Sequence, residues 1–265
     1  MNEAARKSWE IVRFDGNTSS VENGMITAEF PFTVMLNGQE FATMVCSPMN
    51  LSDLLVGFLA SEGVIRLYHD IASLSIDETK GFAHVEVKNP PDMIQQNHSK
   101  RFIGSCCGKS RQFYFQSDVK TAKTVTSRHT ITVKQCYALM NQLQEKSMQF
   151  KETGGVHNAA VGTVDQILTM RTDIGRHNAI DKVYGDILKN RMPLKDKVIM
   201  FSGRISSEVL LKVSKIGAGI LLSKSAPTDL ALQLADDLGI TAIGFVRNDK
   251  MNIYTHQERV VEAGY

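Results

Sequence analysis

The fold class is decided by the stretch KVIMFSGRISSEVLLKVSKIGAGILLSKSAPTDLALQLADDLGITAIGFV, residues 197–246. It predicts three strands, at Lys197–Phe201, Gly219–Ser223 and Ile240–Val246. Helices are predicted between them, from Ser206 to Ile216 and from Pro227 to about Leu238, each followed by a glycine suited to a helix end. This alternation is typical of an α/β fold, in which helices cover both faces of a parallel sheet.

The residues before this stretch predict a smaller, β-rich part. Ile26–Leu36 and Gln39–Cys46 predict two strands joined by a turn at Asn37-Gly38, a dipeptide that tolerates positive φ at both positions. A helix is predicted to begin after Asn50 and to stop near Gly63, and residues 71–76 and 82–87 predict another strand pair. The sequence therefore predicts several short strands and one helix ahead of the α/β part.

Two domains are predicted from this change of pattern. Residues 89–100 are polar and contain two adjacent prolines, which indicates a loop. A helix with Thr132 as its cap is predicted to run to about Met148. We therefore predict an N-terminal β-rich subdomain with a cysteine loop at residues 1–125, and a C-terminal α/β cofactor-binding domain at residues 126–265.

Composition and charge argue against several functional classes. A net charge of +2 does not favour a nucleic-acid binder that acts through bulk charge. The longest apolar run, residues 54–60, is far shorter than the roughly 18 residues that suggest a membrane span, and residues 1–10 lack the apolar core of a signal peptide. Four cysteines in 265 residues do not make a disulfide framework. We therefore expect a cytoplasmic protein with reduced thiols and without nucleic-acid or membrane partners.

The most informative thiols lie in the segment GSCCGKS, residues 104–110. Nearby lysine and arginine side chains lower the pKa of a thiol, and the glycines allow a large partner to come close. Neighbouring Cα atoms lie about 3.8 Å apart, below the usual disulfide minimum of about 4.4 Å, so a bond between Cys106 and Cys107 would be strained. One thiol as a covalent sulfur carrier fits this pattern better, while a pair of buried, inert cysteines stays the alternative. No metal site is expected, because adjacent cysteines cannot easily occupy two corners of a tetrahedron and Cys46 and Cys136 are predicted to be core.

Polar clusters in the C-terminal half form a second group of candidate residues. The clusters at 202–206 and 225–228 follow predicted strands and precede predicted helices, where α/β sheets bind ligands and helix N-termini attract anions. Arginine there can bind phosphate through two hydrogen bonds. Together the clusters predict a pocket for a phosphate-bearing ligand, although each alone could be an ordinary turn, and Asp173 with Arg176 a local ion pair. The clusters are GGVHN at 154–158, DIGRHN at 173–178, SGRIS at 202–206, SAPT at 225–228 and FVRNDK at 245–250.

These motifs resemble those of the formate dehydrogenase accessory sulfurtransferase family (FdhD). The resemblance covers nearly the whole chain. It implies a cytidine-deaminase-like three-layer core in the C-terminal part, without deaminase chemistry, and a homodimer. It rests on NLSDLLVGFL at 50–59 with SEG at 61–63, GGVH at 154–157, DIGRHNAIDK at 173–182, SGRISSE at 202–208 and SAPT at 225–228.

The resemblance also implies a function. Members of the family accept sulfur as a persulfide from a cysteine desulfurase and deliver it to the Mo-bis(molybdopterin guanine dinucleotide) cofactor that formate dehydrogenase needs. That cofactor would be a bound substrate of a sulfurtransferase, and no permanently bound cofactor is expected. The implied cofactor-binding residues are Arg176, His177, Arg204, Ser225, Phe245, Val246, Arg247, Asn248, Asp249 and Lys250.

The carrier loop departs from the family pattern. That pattern is commonly Cys-x-x-Cys followed by glycine, whereas this chain has Cys106-Cys107-Gly108. We favour Cys107 as the carrier, because Gly108-Lys109 follows it as in the family, and we keep Cys106 open. Two rival functions remain: a molybdenum-cofactor-binding chaperone whose cysteines are incidental, and a thiol oxidoreductase.

Overall fold

The computed structural model describes residues 5–88, 102–103 and 122–262, and strands dominate its first half. The strands are β1 (Arg6–Asp15), β2 (Thr18–Thr27), β3 (Phe30–Leu36), β4 (Gln39–Cys46), β5 (Ile71–Asp77), β6 (Phe82–Val87) and β7 (Phe102–Ile103), with the helix α1 (Leu51–Ser61) after β4 and a short 3-10 helix at Tyr68–Asp70. β1 and β2 pair with each other as a separate antiparallel ribbon. The other five strands form one sheet in the order β5-β6-β3-β4-β7.

The predicted elements of this half are confirmed with one correction. Asn37 and Gly38 have φ angles of 48° and 81°, as the hairpin between β3 and β4 requires. The single strand predicted at Ile26–Leu36 is wrong, because its first two residues belong to β2 and the chain bends at Ala28, whose N–H donates to the carbonyl of Ala5 (3.0 Å). The β1–β2 ribbon itself was not predicted.

The second half is a mixed α/β structure. Its strands are β8 (Ile131–Thr132), β9 (His157–Gly162), β10 (Ile167–Asp173), β11 (Val198–Phe201), β12 (Ile220–Ser223), β13 (Thr241–Arg247), β14 (Lys250–Ile253) and β15 (Val260–Val261). Its helices are α2 (Val133–Glu145), α3 (Met148–Thr153), α4 (Arg176–Lys189), α5 (Ser207–Ile216) and α6 (Asp229–Asp237), with a 3-10 helix at Gln257–Arg259. Six strands form one sheet in the order β10-β9-β11-β12-β13-β14, and β8 pairs with β15.

The predicted parallel arrangement holds for the centre of the six-stranded sheet. β11, β12 and β13 are parallel, whereas β9, β10 and β14 join antiparallel. Alternate residues of β11 face opposite sides: Val198 and Met200 pack in a cluster with α2, and Ile199 and Phe201 pack in a cluster with α1, α4, α5 and α6. Helices therefore cover both faces of this sheet, as predicted. The cytidine-deaminase-like relationship stays a prediction.

The larger hydrophobic cluster joins the two halves of the chain. It contains Phe32 from β3, Leu54 from α1, Ile180 from α4 and Ile199 from β11, all completely buried. The division predicted at residue 125 stays a prediction, and residues on both sides of it contribute to one core. None of the helices in the described segments has the length and apolarity that crossing a bilayer requires.

The crossing of α1 and α4 depends on glycine. A Cβ atom on Gly57 would lie 1.7 Å from the carbonyl oxygen of Asp181, and one on Gly185 would lie 1.9 Å from that of Asp53. Both distances are far below van der Waals contact, so no side chain fits at either position. The two backbones touch directly, which fixes the middle of α4 against α1 in the N-terminal half.

Candidate functional site

Strand pairing brings the predicted polar clusters to one edge of the six-stranded sheet. His157 at the start of β9 pairs with Asp173 at the end of β10, and Ala159 pairs with Phe201 near the end of β11. Phe201 in turn pairs with Ser223 at the end of β12. Residues 154–158, 173–178, 202–206, 225–228 and 245–250 thus follow one another along the same edge, which we call the polar edge. The sequence placed the clusters at 202–206 and 225–228 at the carboxyl edge of the sheet, where α/β proteins bind ligands. The structure brings all five clusters to that edge.

Backbone hydrogen bonds join neighbouring segments of the polar edge. Ser202 donates its N–H to the carbonyl of Asn158 (2.9 Å) and accepts the N–H of Asn158 on its hydroxyl (2.9 Å). Ile205 donates its N–H to the carbonyl of Ala226 (3.0 Å). Phe245 donates to the carbonyl of Ser225 (3.2 Å), which ties the end of β13 to the loop after β12. The segments are therefore held in fixed register.

The predicted ligand-binding side chains differ in how they are presented. Arg204 and the four residues 247–250 are exposed, whereas Arg176, His177, Ser225 and Phe245 are half-buried. Val246 is completely buried, backbone included, and its side chain packs in the cluster beneath α2, so it is not exposed at this edge.

The end of β13 and the turn after it contain three residues with positive φ. Phe245, within β13 where its register with β14 shifts, has a φ of 55°, which bulky residues seldom adopt. Asn248 and Asp249, with φ angles of 49° and 54°, form the two-residue turn between β13 and β14, where a hairpin favours such angles. The guanidinium of Arg247 lies 5.7 Å from the centroid of the Phe245 ring, within cation–π range. The end of β13 therefore presents a guanidinium and a ring side by side at the polar edge.

Asp173 is a structural residue. Its carboxylate is completely buried and accepts hydrogen bonds from the backbone N–H of Gly175 (2.7 Å), the backbone N–H of Ser47 (3.0 Å) and the side chain of Asn178 (3.0 Å). The ammonium of Lys182 lies 2.6 Å away and is also completely buried. Four groups thus bind this carboxylate, and the local pair of Asp173 with Arg176 stays a prediction. They anchor the start of α4 to the end of β4.

Two histidines at the polar edge have different surroundings. His177 lies on the first turn of α4 with its Nε2 3.2 Å from the carboxylate of Glu208, in the first turn of α5. His157 is half-buried, and burial lowers its pKa from the ordinary value, although the negative charge of Asp173 acts in the opposite direction. His157 lies in one of the predicted polar clusters but was not among the implied cofactor-binding residues, and Glu208 was in neither group. The repeated His-Asn-Ala triplets at 157–159 and 177–179 are the signal that could have pointed to both histidines.

The four cysteines fall into two groups. Cys106 and Cys107, the predicted carriers, lie outside the described residues. Cys46 and Cys136 are completely buried, and burial raises the pKa of each thiol to about 12. They are core residues, as predicted, and inert at neutral pH. Within the described segments no three His, Cys, Asp or Glu side chains are close enough to hold a metal ion.

The fold and the polar edge define an α/β protein with a row of polar segments along one edge of a mixed sheet. The FdhD/NarQ family matches residues 27–261, and the chain belongs to that family. It is 55% identical over 263 residues to the sulfur carrier protein FdhD of Bacillus subtilis (strain 168), which covers 99% of this chain and 100% of that protein. It is 59% identical over 238 residues to the sulfur carrier protein FdhD of Halalkalibacterium halodurans, covering 89% of this chain and 88% of that protein. The resemblance drawn from the motifs is therefore confirmed.

A solved structure shares the fold. The crystal structure of a candidate formate dehydrogenase accessory protein from Desulfotalea psychrophila superposes with a TM-score of 0.79 at 21% identity, covering 97% of this chain and 100% of that one. At this level of identity the likeness concerns the fold alone. It supports a mixed α/β architecture over nearly the whole length of the chain.

Proposed function

We propose that this protein is a sulfur carrier that serves formate dehydrogenase. It accepts sulfur as a persulfide on Cys107 or Cys106 from a cysteine desulfurase. It then transfers that sulfur to the Mo-bis(molybdopterin guanine dinucleotide) cofactor, which it holds as a substrate at the polar edge. The observation that carries the proposal is the convergence of five polar segments on one sheet edge in a chain whose relatives are named sulfur carriers. We further propose that it acts as a cytoplasmic homodimer.

The loading step is a thiolate displacement. The carrier thiolate attacks the terminal sulfur of the desulfurase persulfide, a new S–S bond forms, the old one breaks, and the desulfurase cysteine leaves as a thiolate. Electrons and atoms balance without an external oxidant. Cys46 and Cys136 cannot perform this step, because their raised pKa keeps them protonated and no solvent reaches them.

The polar edge is suited to the phosphates of the substrate. The exposed guanidinium groups of Arg204 and Arg247 can each donate two parallel hydrogen bonds to a phosphate. The N-termini of α5 and α6 lie at the same edge and offer backbone N–H groups to an anion. The ring of Phe245 supplies an apolar surface beside Arg247. The exposed guanidinium groups, the helix N-termini and the aromatic ring together support a nucleotide-bearing substrate.

Mass spectrometry tests the sulfur-carrier step. Protein incubated with a cysteine desulfurase and cysteine is expected to gain the mass of one sulfur atom, on the peptide that holds residues 106 and 107. Peptides with Cys46 and Cys136 from the same digest are internal controls and are expected to stay unchanged. Single serine substitutions at 106 and 107 identify the carrier. An unchanged mass in the presence of active desulfurase would refute sulfur transfer.

The same variants separate the rival functions. A chaperone with incidental cysteines predicts that Cys106→Ser combined with Cys107→Ser leaves formate dehydrogenase activity intact in cells. A thiol oxidoreductase predicts a reversible disulfide at one of these positions. A sulfur carrier predicts that the double variant loses formate dehydrogenase activity in cells. It also predicts that the wild-type protein forms a persulfide and no disulfide at these positions.

Titration with guanosine diphosphate tests the ligand site independently. Arg247→Ala is expected to weaken binding about tenfold or more, because a charge-assisted pair with phosphate is lost. Arg13→Ala is the matched control, since Arg13 lies on the β1–β2 ribbon and pairs only at the surface with Glu22 (2.8 Å). Equal weakening by both variants would remove the assignment of Arg247 to the site.

A further inference from the structure

His157 occupies a central position on the polar edge. It begins β9, which lies between β10 and β11 in the sheet, so polar segments flank it on both sides. The backbone of Gly203 approaches its ring so closely that a Cβ there would lie 3.2 Å from Nδ1 of His157 and 2.8 Å from the ring of Phe201. Glycine at 203 therefore leaves room for the imidazole next to the segment that carries Arg204.

The imidazole of His157 has no counter-charge of its own. The carboxylate whose charge acts on it, on the paired residue Asp173, is neutralised by Lys182 at 2.6 Å and accepts three further hydrogen bonds. Among the described residues, nothing makes a hydrogen bond or an ion pair with the ring of His157. Both ring nitrogens are thus available to a ligand.

The other charged groups around this position are already paired or are cationic. From α4 come Arg176, His177 and the buried Lys182, and from the turn and helix after β11 come Arg204 and Glu208. The carboxylate of Glu208 lies 3.2 Å from Nε2 of His177 and is therefore paired with that histidine. The surroundings without ligand therefore favour a neutral His157, which agrees with the lowering of its pKa by burial.

We propose that His157 is a proton-accepting ligand-binding residue, which takes up a proton from solvent when a phosphate-bearing ligand binds at the polar edge. This inference rests on the proposed function, because it requires such a ligand to bind there. The phosphate supplies the negative charge that the protein itself does not provide, and the protonated imidazole donates a hydrogen bond to it. Binding is thereby coupled to pH: affinity falls as the pH rises from the pKa of His157 in the free protein to its higher pKa in the complex, and it levels off above the latter.

Calorimetric titration with guanosine diphosphate in buffers of different ionisation enthalpy measures this coupling. The wild-type protein is expected to take up close to one proton per site at a pH between the pKa values of His157 in the free and bound protein. Between acidic and alkaline pH, the affinity of the wild type should fall in total about tenfold for each unit by which ligand binding raises the pKa of His157. His157→Asn is expected to take up none, to bind as the wild type does at alkaline pH and to lose the acidic enhancement. Circular dichroism of the free variant verifies that it is folded.

Two further variants make the assignment specific. His177→Asn removes the other histidine of the polar edge. Because His177 is among the implied cofactor-binding residues, this variant is expected to bind more weakly but to keep the proton uptake per bound nucleotide. His84→Asn changes an exposed histidine on β6 and is expected to change nothing. Uptake per bound nucleotide that persists in His157→Asn, or that disappears in His177→Asn, would overturn the assignment to His157. Failure of the wild type to bind the nucleotide would instead remove the ligand site of the proposed function, and the inference with it.

Discussion

The buried pair of Lys212 and Asp181 provides the sharpest test of how the two halves are held together. The ammonium of Lys212 lies 2.5 and 2.6 Å from the two carboxylate oxygens of Asp181, and both residues are almost completely buried. Ser61 at the end of α1 donates its hydroxyl to the same carboxylate (2.6 Å). The pair therefore connects α4 and α5 to α1. Burial raises the pKa of Asp181, and the charge of Lys212 opposes that rise.

Lys212→Met keeps the volume of the side chain and removes its charge. Asp181 then retains only the hydroxyl of Ser61 as a side-chain donor, so a carboxylate is left in the interior without a cation. Breaking a buried pair in this way costs about 3 kcal/mol or more at neutral pH. The loss should shrink at acidic pH, because a carboxyl group whose pKa is raised in the folded state binds a proton there before it does so in the unfolded chain.

Urea unfolding followed by far-ultraviolet circular dichroism measures this loss. Tryptophan fluorescence is unsuitable, since the one tryptophan, Trp9, is 63% exposed on the β1–β2 ribbon. Adding Asp181→Asn to Lys212→Met removes the unpaired charge and is expected to restore part of the stability. Lys80→Met is the control, because Lys80 forms only an exposed pair with Asp77 (3.8 Å) and should lose less than about 0.5 kcal/mol. A loss below about 1 kcal/mol for Lys212→Met, or a loss that grows as the pH falls, would refute this reasoning.

Three further predictions follow from other contacts. Gly57→Ala or Gly185→Ala should destabilise the protein by about 3 kcal/mol or more in thermal unfolding, because a methyl group has no room between α1 and α4; a wild-type melting temperature would show that the crossing is looser than described. Iodoacetamide should leave Cys46 and Cys136 unmodified in native protein and alkylate them after unfolding, which peptide mapping detects; rapid native labelling of either would contradict its burial. Raising the salt concentration should weaken guanosine diphosphate binding to the wild type more than to Arg247→Ala, because one exposed charge pair is screened only in the former; an equal salt dependence would place that guanidinium away from the phosphates.

The central parallel strands were predictable because their residues are apolar on both faces. β11 reads VIMF and β12 reads ILLS, and every one of these residues is buried. Continuous apolar runs of this kind indicate a strand in a sheet that is buried on both faces, and the pattern does not depend on the neighbouring strands. The flanking strands gave no such signal. β9 reads HNAAVG, with two polar residues, two alanines and a glycine, and its strand conformation depends on pairing with β10 and β11.

The β1–β2 ribbon escaped prediction for a different reason. Its burial does not alternate, because most of its residues are exposed on both faces, including Trp9, Val12, Phe14 and Val21. A strand that packs on neither face leaves no periodic pattern to read. Only the Gly16 position, with a φ of 59° in the turn between the strands, marks the hairpin.

The motif residues divide into those that bind each other and those that face outward. Asp53, Ser61, Asp173, Asn178 and Asp181 all belong to the motifs that carry the family resemblance, and all are buried and hydrogen-bonded within the protein. From the sequence alone they are indistinguishable from ligand-binding residues, because the same carboxylates and amides serve both purposes. Which role each has depends on partners that are distant in sequence, such as Ser47 for Asp173.

Buried ion pairs explain how loops at the polar edge can form a site of fixed geometry. Arg171 joins Asp53 of α1 to Asp186 of α4 (2.8 and 2.5 Å), and Lys189 adds a second bond to Asp53 (2.8 Å). With the direct contact of the α1 and α4 backbones, they leave α4 little freedom to shift against the N-terminal half. The first turn of α4 carries Arg176 and His177, so its position at the polar edge is set by contacts on the opposite, buried side of the helix. Substitutions in these pairs should therefore lower nucleotide affinity only to the extent that they loosen α4, whereas substitutions at the polar edge should lower affinity and leave stability unchanged.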